Sequence, residues 1–392
     1  MNISFGFYPA MDIAAFRSRI PLLQTHTHLN CARGSPLHLD VKEKLEYLLE
    51  RDVGDPAGFC QENVQALEDA QKAVASVIGS GPDEVTFRTN TTDAIATAID
   101  TVPMEKGDNA VIMDMEYPSV VYPLRTRELR DGTETRFVHN KDGRITPDMV
   151  EEAIDSRTRL VALSHVSFMN GYRLDIEEIG KVCRDRDVYF LVDAAQSLGT
   201  TPIDVREMNI DFLASTAFKW QLGVPGIAPL YVNKDIMDRI KAPYWGTFAL
   251  KEMDLNRSAR QERFDYPEEL LNGANRFLQG VPNFSGAAAL STGLNLLLEQ
   301  GMDRIAKRHD KLLSIPLEEY ENHVTTPQES RAGIMTFRCD DLQSVQNRLE
   351  DSNFVVTFNE SVRISPHFYN TEEEIQSFLD ILFKHQSSTS KQ

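Results

Sequence analysis

The stretch STAFKWQLGVPG, residues 215–226, holds one lysine, Lys219, between Phe218 and Trp220 and just beyond the apolar run DFLA. An ammonium set between aromatic rings at a strand end is poorly solvated, and desolvation favours its neutral form. A neutral lysine amine attacks carbonyl carbon and can form a Schiff base. Two other segments carry complementary groups. In VDAAQS, Asp193 closes an apolar strand, so its carboxylate falls at the sheet edge, where burial demands a cationic partner. Capping the next helix is the competing use of that residue. In FRTNTTDAI, Asn90, Thr91 and Thr92 precede a helical pattern. A helix start flanked by hydroxyls holds phosphate, although plain capping is its more frequent use. Thr216, three residues before the lysine, could reach the same anion.

Each signal is weak alone, but together they describe one ligand. A pyridine nitrogen needs an acid opposite it, a phosphate needs hydroxyls and a helix start, and an aldehyde needs an amine. That ligand is pyridoxal 5′-phosphate (PLP).

The elements that would position these groups are visible in the alternation of the chain. DNAVIMDM, RLVALSH, VYFLVDAA and IDFLAST are apolar runs ending in small or polar residues, separated by helical patterns such as TPDMVEEAIDS and DIEEIGKVCRDRD. Thr146 as a cap, Pro147 in the first turn and acids after them mark one helix start. This alternation predicts an α/β domain with a mostly parallel sheet, whose ligands bind beyond the carboxyl ends of the strands. After about residue 290 a long helical stretch leads into RAGIMTFRC, DDLQSVQNRLEDS, FVVTF, VRISP and TEEEIQSFLDILFKH, a smaller α+β unit. The expected division is an N-terminal segment over 1–35 joining the small domain, a large domain over 36–290, a small domain over 291–385 and a disordered polar tail over 386–392.

With these motifs in place, VDAAQSLGTTPIDVREMNIDFLASTAFKWQLGVPGIAPLYV resembles the core of the class V aminotransferases, within the fold-type I PLP enzymes, and the likeness runs from HLNCARGSP to VRISPHFYNTEEEI. The family includes cysteine desulfurases, isopenicillin-N-epimerase-like proteins and kynureninases as well as aminotransferases. The resemblance implies a seven-stranded-type sheet flanked by helices. It makes Lys219 the Schiff-base lysine and α-proton shuttle, and Asp193 the partner of the pyridinium nitrogen. Gln196 would hydrogen-bond the ring's phenolic oxygen, and Thr91, Thr92 and Thr216 would hold the phosphate. Tyr117 falls where relatives stack an aromatic or histidine on the ring. Arg363 matches the carboxylate-binding arginine, whose guanidinium fork orients an amino acid. Asn30 and Arg33 lie where the N-terminal segment borders the substrate; Arg33 could read a second carboxylate or pair with an acid of the protein. The family's active sites at subunit boundaries imply a homodimer.

The chain departs from the family in several places. Desulfurases carry a nucleophilic cysteine on a loop shortly before the carboxylate-binding arginine, whereas NFVVTFNESVRIS is short and has none. Phe218 and Phe168 stand where many relatives have histidine and asparagine. Val281 replaces a threonine used on the neighbouring subunit's phosphate, with Ser285 nearby. KWQLGVPG is closer to the epimerase-like branch. The expected activity is therefore transamination of a small amino acid, with C–S lyase or desulfurase-like chemistry and epimerisation as alternatives that share the same first proton abstraction. A catalytically silent scaffold of the same fold is the competing class, and retention of Lys219, Asp193 and Arg363 together argues against it.

Composition sets the outer bounds. The 392 residues hold 41 Lys and Arg against 59 Asp and Glu, a formal charge of −18. Such a surface disfavours nucleic acid and anionic membrane as partners. Cys31, Cys60, Cys183 and Cys339 are scattered, with no CxxC or Cys/His cluster, so neither a zinc site nor a disulfide framework is expected. The opening MNISFGFYPAMDIAAF lacks the cationic start and apolar core of a secretory signal, and the expected location is cytoplasmic.

Overall fold

The computed structural model describes residues 11–54, 61–251 and 268–383; the expected tail over 386–392 lies outside them. Seven strands form the central sheet: β2 (Val85–Arg88), β3 (Asn109–Met113), β4 (Glu134–Val138), β5 (Thr158–Ser164), β6 (Tyr189–Asp193), β7 (Phe212–Ala214) and β8 (Ala228–Val232). Their spatial order is β2-β8-β7-β6-β5-β3-β4, and β8 alone runs against its neighbours. This is the mostly parallel α/β sheet expected from the alternating runs. It is covered on both faces. Val111, Met113, Val161, Leu163, Phe190 and Val192 enter one core, while Ala110, Ile112, Leu160, Ala162 and Leu191 enter the other. Side chains alternate across a strand, so a run apolar at every position is what two covered faces require.

The crossover helices include α4 (Thr91–Thr101), α5 (Pro118–Asp131) and α7 (Ile176–Asp185). Asn90 caps α4 by accepting from the Asp93 N–H at 2.9 Å, and Asp175 caps α7 in the same way. Helix α5 stops where Gly132 takes the left-handed conformation, φ 72°.

The C-terminal unit carries a three-stranded antiparallel sheet, ordered β11 (Thr357–Phe358), β12 (Val362–Ile364) and β9 (Met335–Phe337). The N-terminal strand β1 (Thr27–His28) pairs in parallel with β10 (Phe354–Val355), and Asn30 bridges to Ser365. The change of pattern near residue 290 falls inside the helix Phe284–Gln300, whose Ala287, Leu290, Leu294 and Leu297 all lie in the core beneath the large sheet. A boundary there would cut a continuously packed helix, so residue 290 is no hinge. No helix among the described residues is long and apolar enough to cross a membrane.

The loop after β7 is held by an unusually demanding turn. Trp220 is fully buried, and its indole N–H donates to Gln196 Oε1 at 2.9 Å. Its carbonyl oxygen pairs with His367 Nε2 at 3.1 Å. Leu222 follows in the left-handed region, φ 58°, a conformation that costs a non-glycine residue about 1–2 kcal/mol. Gly199, φ 108°, lies so close that a Cβ there would sit 2.5 Å from the Trp220 carbonyl oxygen. Gly199→Ala should therefore destabilise the protein by about 1–3 kcal/mol, read as a lower urea midpoint with unchanged slope.

Candidate active site

The strands β5, β6 and β7 end together, and the chemistry gathers at that edge. A cavity of about 360 Å³ is lined by Asp193, Lys219, Thr216, Gln196, Thr91, Thr92, Tyr117, Arg33 and Arg363, among others. Asp193 is the last residue of β6 and is buried. One carboxylate oxygen accepts from the Ala195 N–H at 2.8 Å, and the other has no hydrogen-bond donor among the described residues. Burial raises its pKa, opposed by the Ala195 N–H and by the charge of Lys219. Burial likewise lowers the pKa of Lys219, opposed by Asp193 and reinforced by Arg363. The two do not approach within ion-pairing distance, and Lys219 Nζ lies 5.7 Å from the centre of the Tyr117 ring. Desolvation thus pushes both groups toward neutrality. A cation at Asp193 would reverse that for the carboxylate without taking the lysine.

Why Lys219 sits between aromatics is now clear. Trp220 is buried in the core and anchors the loop, while Phe218 and the lysine between them line the cavity. Behind it Ser215 and Gln221 form a second layer: Gln221 Nε2 donates to Ser215 Oγ and to the Thr216 carbonyl, while Ser215 Oγ donates to the Ala194 carbonyl. This layer ties the end of β7 to the turn after β6, linking the segments that carry Asp193 and Lys219. Neither Ser215 nor Gln221 stands out in the sequence.

At the start of α4, Thr92 Oγ1 shares a 2.7 Å hydrogen bond with Ser119 Oγ, and Thr91 Oγ1 donates to the Ser215 carbonyl at 3.1 Å. Thr91's hydroxyl proton is therefore spent on the backbone; what it offers an anion is its N–H. Thr216 is buried, and its hydroxyl makes no hydrogen bond among the described residues. Gln196 keeps only one amide N–H in reserve, since Ala32's carbonyl takes the other and Trp220 occupies its oxygen. Tyr117 caps α5 half-exposed and meets Phe168 edge-on, 5.1 Å between centroids.

Arg363, in β12, donates to the Phe168 carbonyl at 2.5 Å and to Thr357 Oγ1 at 3.3 Å. Its buried Nε has no partner, and it faces no carboxylate among the described residues. Asn30 is not at the cavity. It lies buried one layer behind, accepting from Thr357 Oγ1 at 2.7 Å and donating to the Val356 carbonyl, because its strand segment is paired into the small sheet. Asn30 positions the residue that positions Arg363.

Glu116 and its partner Ser164 went unnoticed in the sequence as well. Glu116, immediately before Tyr117, is buried and accepts from both the N–H and the hydroxyl of Ser164, at 2.7 and 2.6 Å. Burial, and then the neighbouring Asp193, push its pKa up to about 8 against those two hydrogen bonds. An acid abutting the MDMEYP turn and a serine closing RLVALS were the available signals. Because the folded-state pKa exceeds the unfolded value, the stability this group contributes is complete below about pH 4.5 and is lost as pH rises through about 8. Glu116→Gln should remove up to about 1.4 kcal/mol per pH unit from the slope of unfolding free energy over that window, measured by urea titration at pH 5, 6.5 and 8.

The donor set fits PLP on observation. Among the described residues a buried carboxylate has one oxygen unfilled, an amine has no hydrogen-bond partner, a helix start offers N–H groups beside the Thr92 hydroxyl, and a guanidinium has no acid. Comparison with known proteins agrees with this chemistry. The family model described as aminotransferase class-V matches residues 57–378. A probable cysteine desulfurase of Pyrococcus abyssi is 29% identical, covering 93% of this chain and 96% of its own. An uncharacterized aminotransferase, YcbU, of Bacillus subtilis is 28% identical over 93% of this chain and 96% of its own. The apo cysteine desulfurase of Thermococcus onnurineus superposes with a TM-score of 0.83 at 25% identity, covering 96% of this chain and 98% of that one.

Proposed function

The chain belongs to the aminotransferase class-V family, and on that footing we propose that it is a PLP-dependent lyase that breaks the carbon–sulfur bond of a cysteine-class amino acid. The transamination expected from the sequence yields here to the alternative, because several similar proteins are named as cysteine desulfurases. The observation that carries the reading is the convergence of Lys219, Asp193 and Arg363 on one cavity, each lacking an ion-pair partner among the described residues. When bound, PLP supplies an aldehyde for an amine and a pyridinium ring that accepts the electrons of a broken α-bond.

Asp193, with one carboxylate oxygen unfilled, would hold the protonated ring nitrogen of the cofactor. The first turn of α4, with Thr92 and Thr216, takes the phosphate, and the helix dipole adds to that hold. Arg363 orients the substrate carboxylate, with Phe168's carbonyl and Thr357 fixing the guanidinium. Lys219, at the cavity wall, would be the base that removes the substrate's α-proton, after which the β-sulfur would depart. For cysteine, the balance is one water consumed and pyruvate, ammonia and hydrogen sulfide released.

The sulfur leaves in the product rather than on a protein thiol. Among the described residues no cysteine lines the cavity: Cys31 is buried against Tyr369 with its thiol pushed up to about 11, Cys183 is buried, and Cys339 lies in the small unit. A thiol held protonated is a poor nucleophile.

Purified protein supplied with PLP should show a visible band that borohydride abolishes, and Lys219→Ala should lose amino-acid turnover by about 10³-fold or more. Mixed with cysteine or an S-substituted cysteine, the wild type should release pyruvate and sulfide or thiol in equal amounts. Keto-acid-dependent amino transfer without sulfur release would instead establish transamination. Arg363→Ala should raise KM for amino-acid substrates about ten- to a hundredfold while keeping the visible band; unchanged kinetics would refute its role.

A further inference from the structure

We infer that Arg33 and Arg363 together select an amino acid whose side chain carries a second carboxylate, Arg363 taking the α-carboxylate and Arg33 the one beyond the sulfur. The inference rests on the lyase reading for the sulfur and on the cavity itself for the charge. Of the charged residues lining the cavity, three are cationic (Arg33, Lys219 and Arg363) and one, Asp193, is anionic. Asp193 and Lys219 oppose each other electrostatically. That leaves two guanidiniums facing one space with no carboxylate partner among the described residues, in a chain whose formal charge is −18. Acids are abundant elsewhere: Arg17 pairs with Glu374, and Arg308 with Glu372. The phosphate does not account for both arginines, because the N–H groups at the start of α4 and the hydroxyls of Thr92 and Thr216 already line its place.

The position of Arg33 is built rather than incidental. On one side, Gln196 Nε2 donates to the Ala32 carbonyl at 3.1 Å. On the other, the Ser35 N–H donates to the Phe218 carbonyl at 3.0 Å. Between them the N–H groups of Arg33 and Gly34 both donate to the Asn30 carbonyl, at 3.0 and 3.2 Å, closing a tight turn. Arg33 is therefore clamped between a residue of the Asp193 segment and the residue preceding Lys219. Its side chain is exposed, while Arg363 is half-buried. Its charge also bears on Arg363, whose pKa is lowered first by burial and then by Arg33. Two like charges held this close are an uncompensated cost that a dianionic ligand removes. The arrangement suits a carboxylate at each end of an extended amino acid.

The test uses the full chain loaded with PLP and two ligands of nearly equal size, S-carboxymethyl-L-cysteine and its neutral amide, S-carbamoylmethyl-L-cysteine. Elimination from the acid consumes water and yields mercaptoacetate, pyruvate and ammonia. Dissociation constants come from the change in visible absorbance on titration, and turnover from thiol release. The acid should bind about tenfold or more tightly than the amide, with the preference shrinking as salt is raised. Arg33→Gln should bring the ratio near one, and Arg33→Lys should restore part of it. Retention of the visible band in both variants shows that the site is intact. Equal affinities in the wild type, or a preference that survives in Arg33→Gln, would overturn the inference. If thiol is released equally from both ligands, the lyase reading stands and this one falls. If neither ligand reacts but glutamate is bound over glutamine in an Arg33-dependent way, the second-carboxylate site stands and the lyase reading falls.

Discussion

A carboxylate buried at the end of β6 and a half-buried amine in the loop after β7 face the same space without touching. The rest of the site is arranged around that separation. Were Asp193 and Lys219 to close into an ion pair, each would satisfy the other and neither would be available to a ligand. Held apart in a poorly solvated cavity, both are driven toward their neutral forms by burial. The acid then seeks a cation of its own, and the amine is free to act as a base or nucleophile.

The separation is maintained by side chains packed behind the cavity. Residues Ser215 and Gln221 bind the lysine loop to the turn after β6. Trp220 plugs that loop into the core and is gripped by Gln196 and His367. The strained Leu222 and the close-packed Gly199 belong to the same construction. Strain of this kind persists where the surroundings over-determine it, which here means beside the loop that carries Lys219 into the cavity. The small unit completes the cavity from outside: β12 brings Arg363 to Phe168, and the N-terminal segment, paired to β10, brings Arg33.

Much of this was legible in the chain, for a definite reason. Strand-end residues in an α/β sheet share one edge, so an apolar run ending in Asp193 and another leading to Lys219 could be placed near each other without coordinates. The helix start after Asn90 was legible because capping chemistry is local. The sulfur loop without a cysteine was legible as a plain absence from NFVVTFNESVRIS. Other features depend on contacts between distant segments. Glu116 finds Ser164, 48 positions away, and no local pattern announces that pairing. Asn30 was read as bordering the substrate, yet its pairing with the small sheet sets it behind Thr357.

The sequence by itself determined the element types, the mostly parallel sheet and the cofactor chemistry, and it singled out one lysine beyond a strand end, since each follows from local period, local capping or a contiguous motif. Tertiary structure decided which hydroxyl is already spent, which arginines lack an acid, and which carboxyl is pushed upward by its neighbours. Hydrogen-bond partners and desolvation are properties of the space around an atom, and that space is assembled from segments hundreds of residues apart.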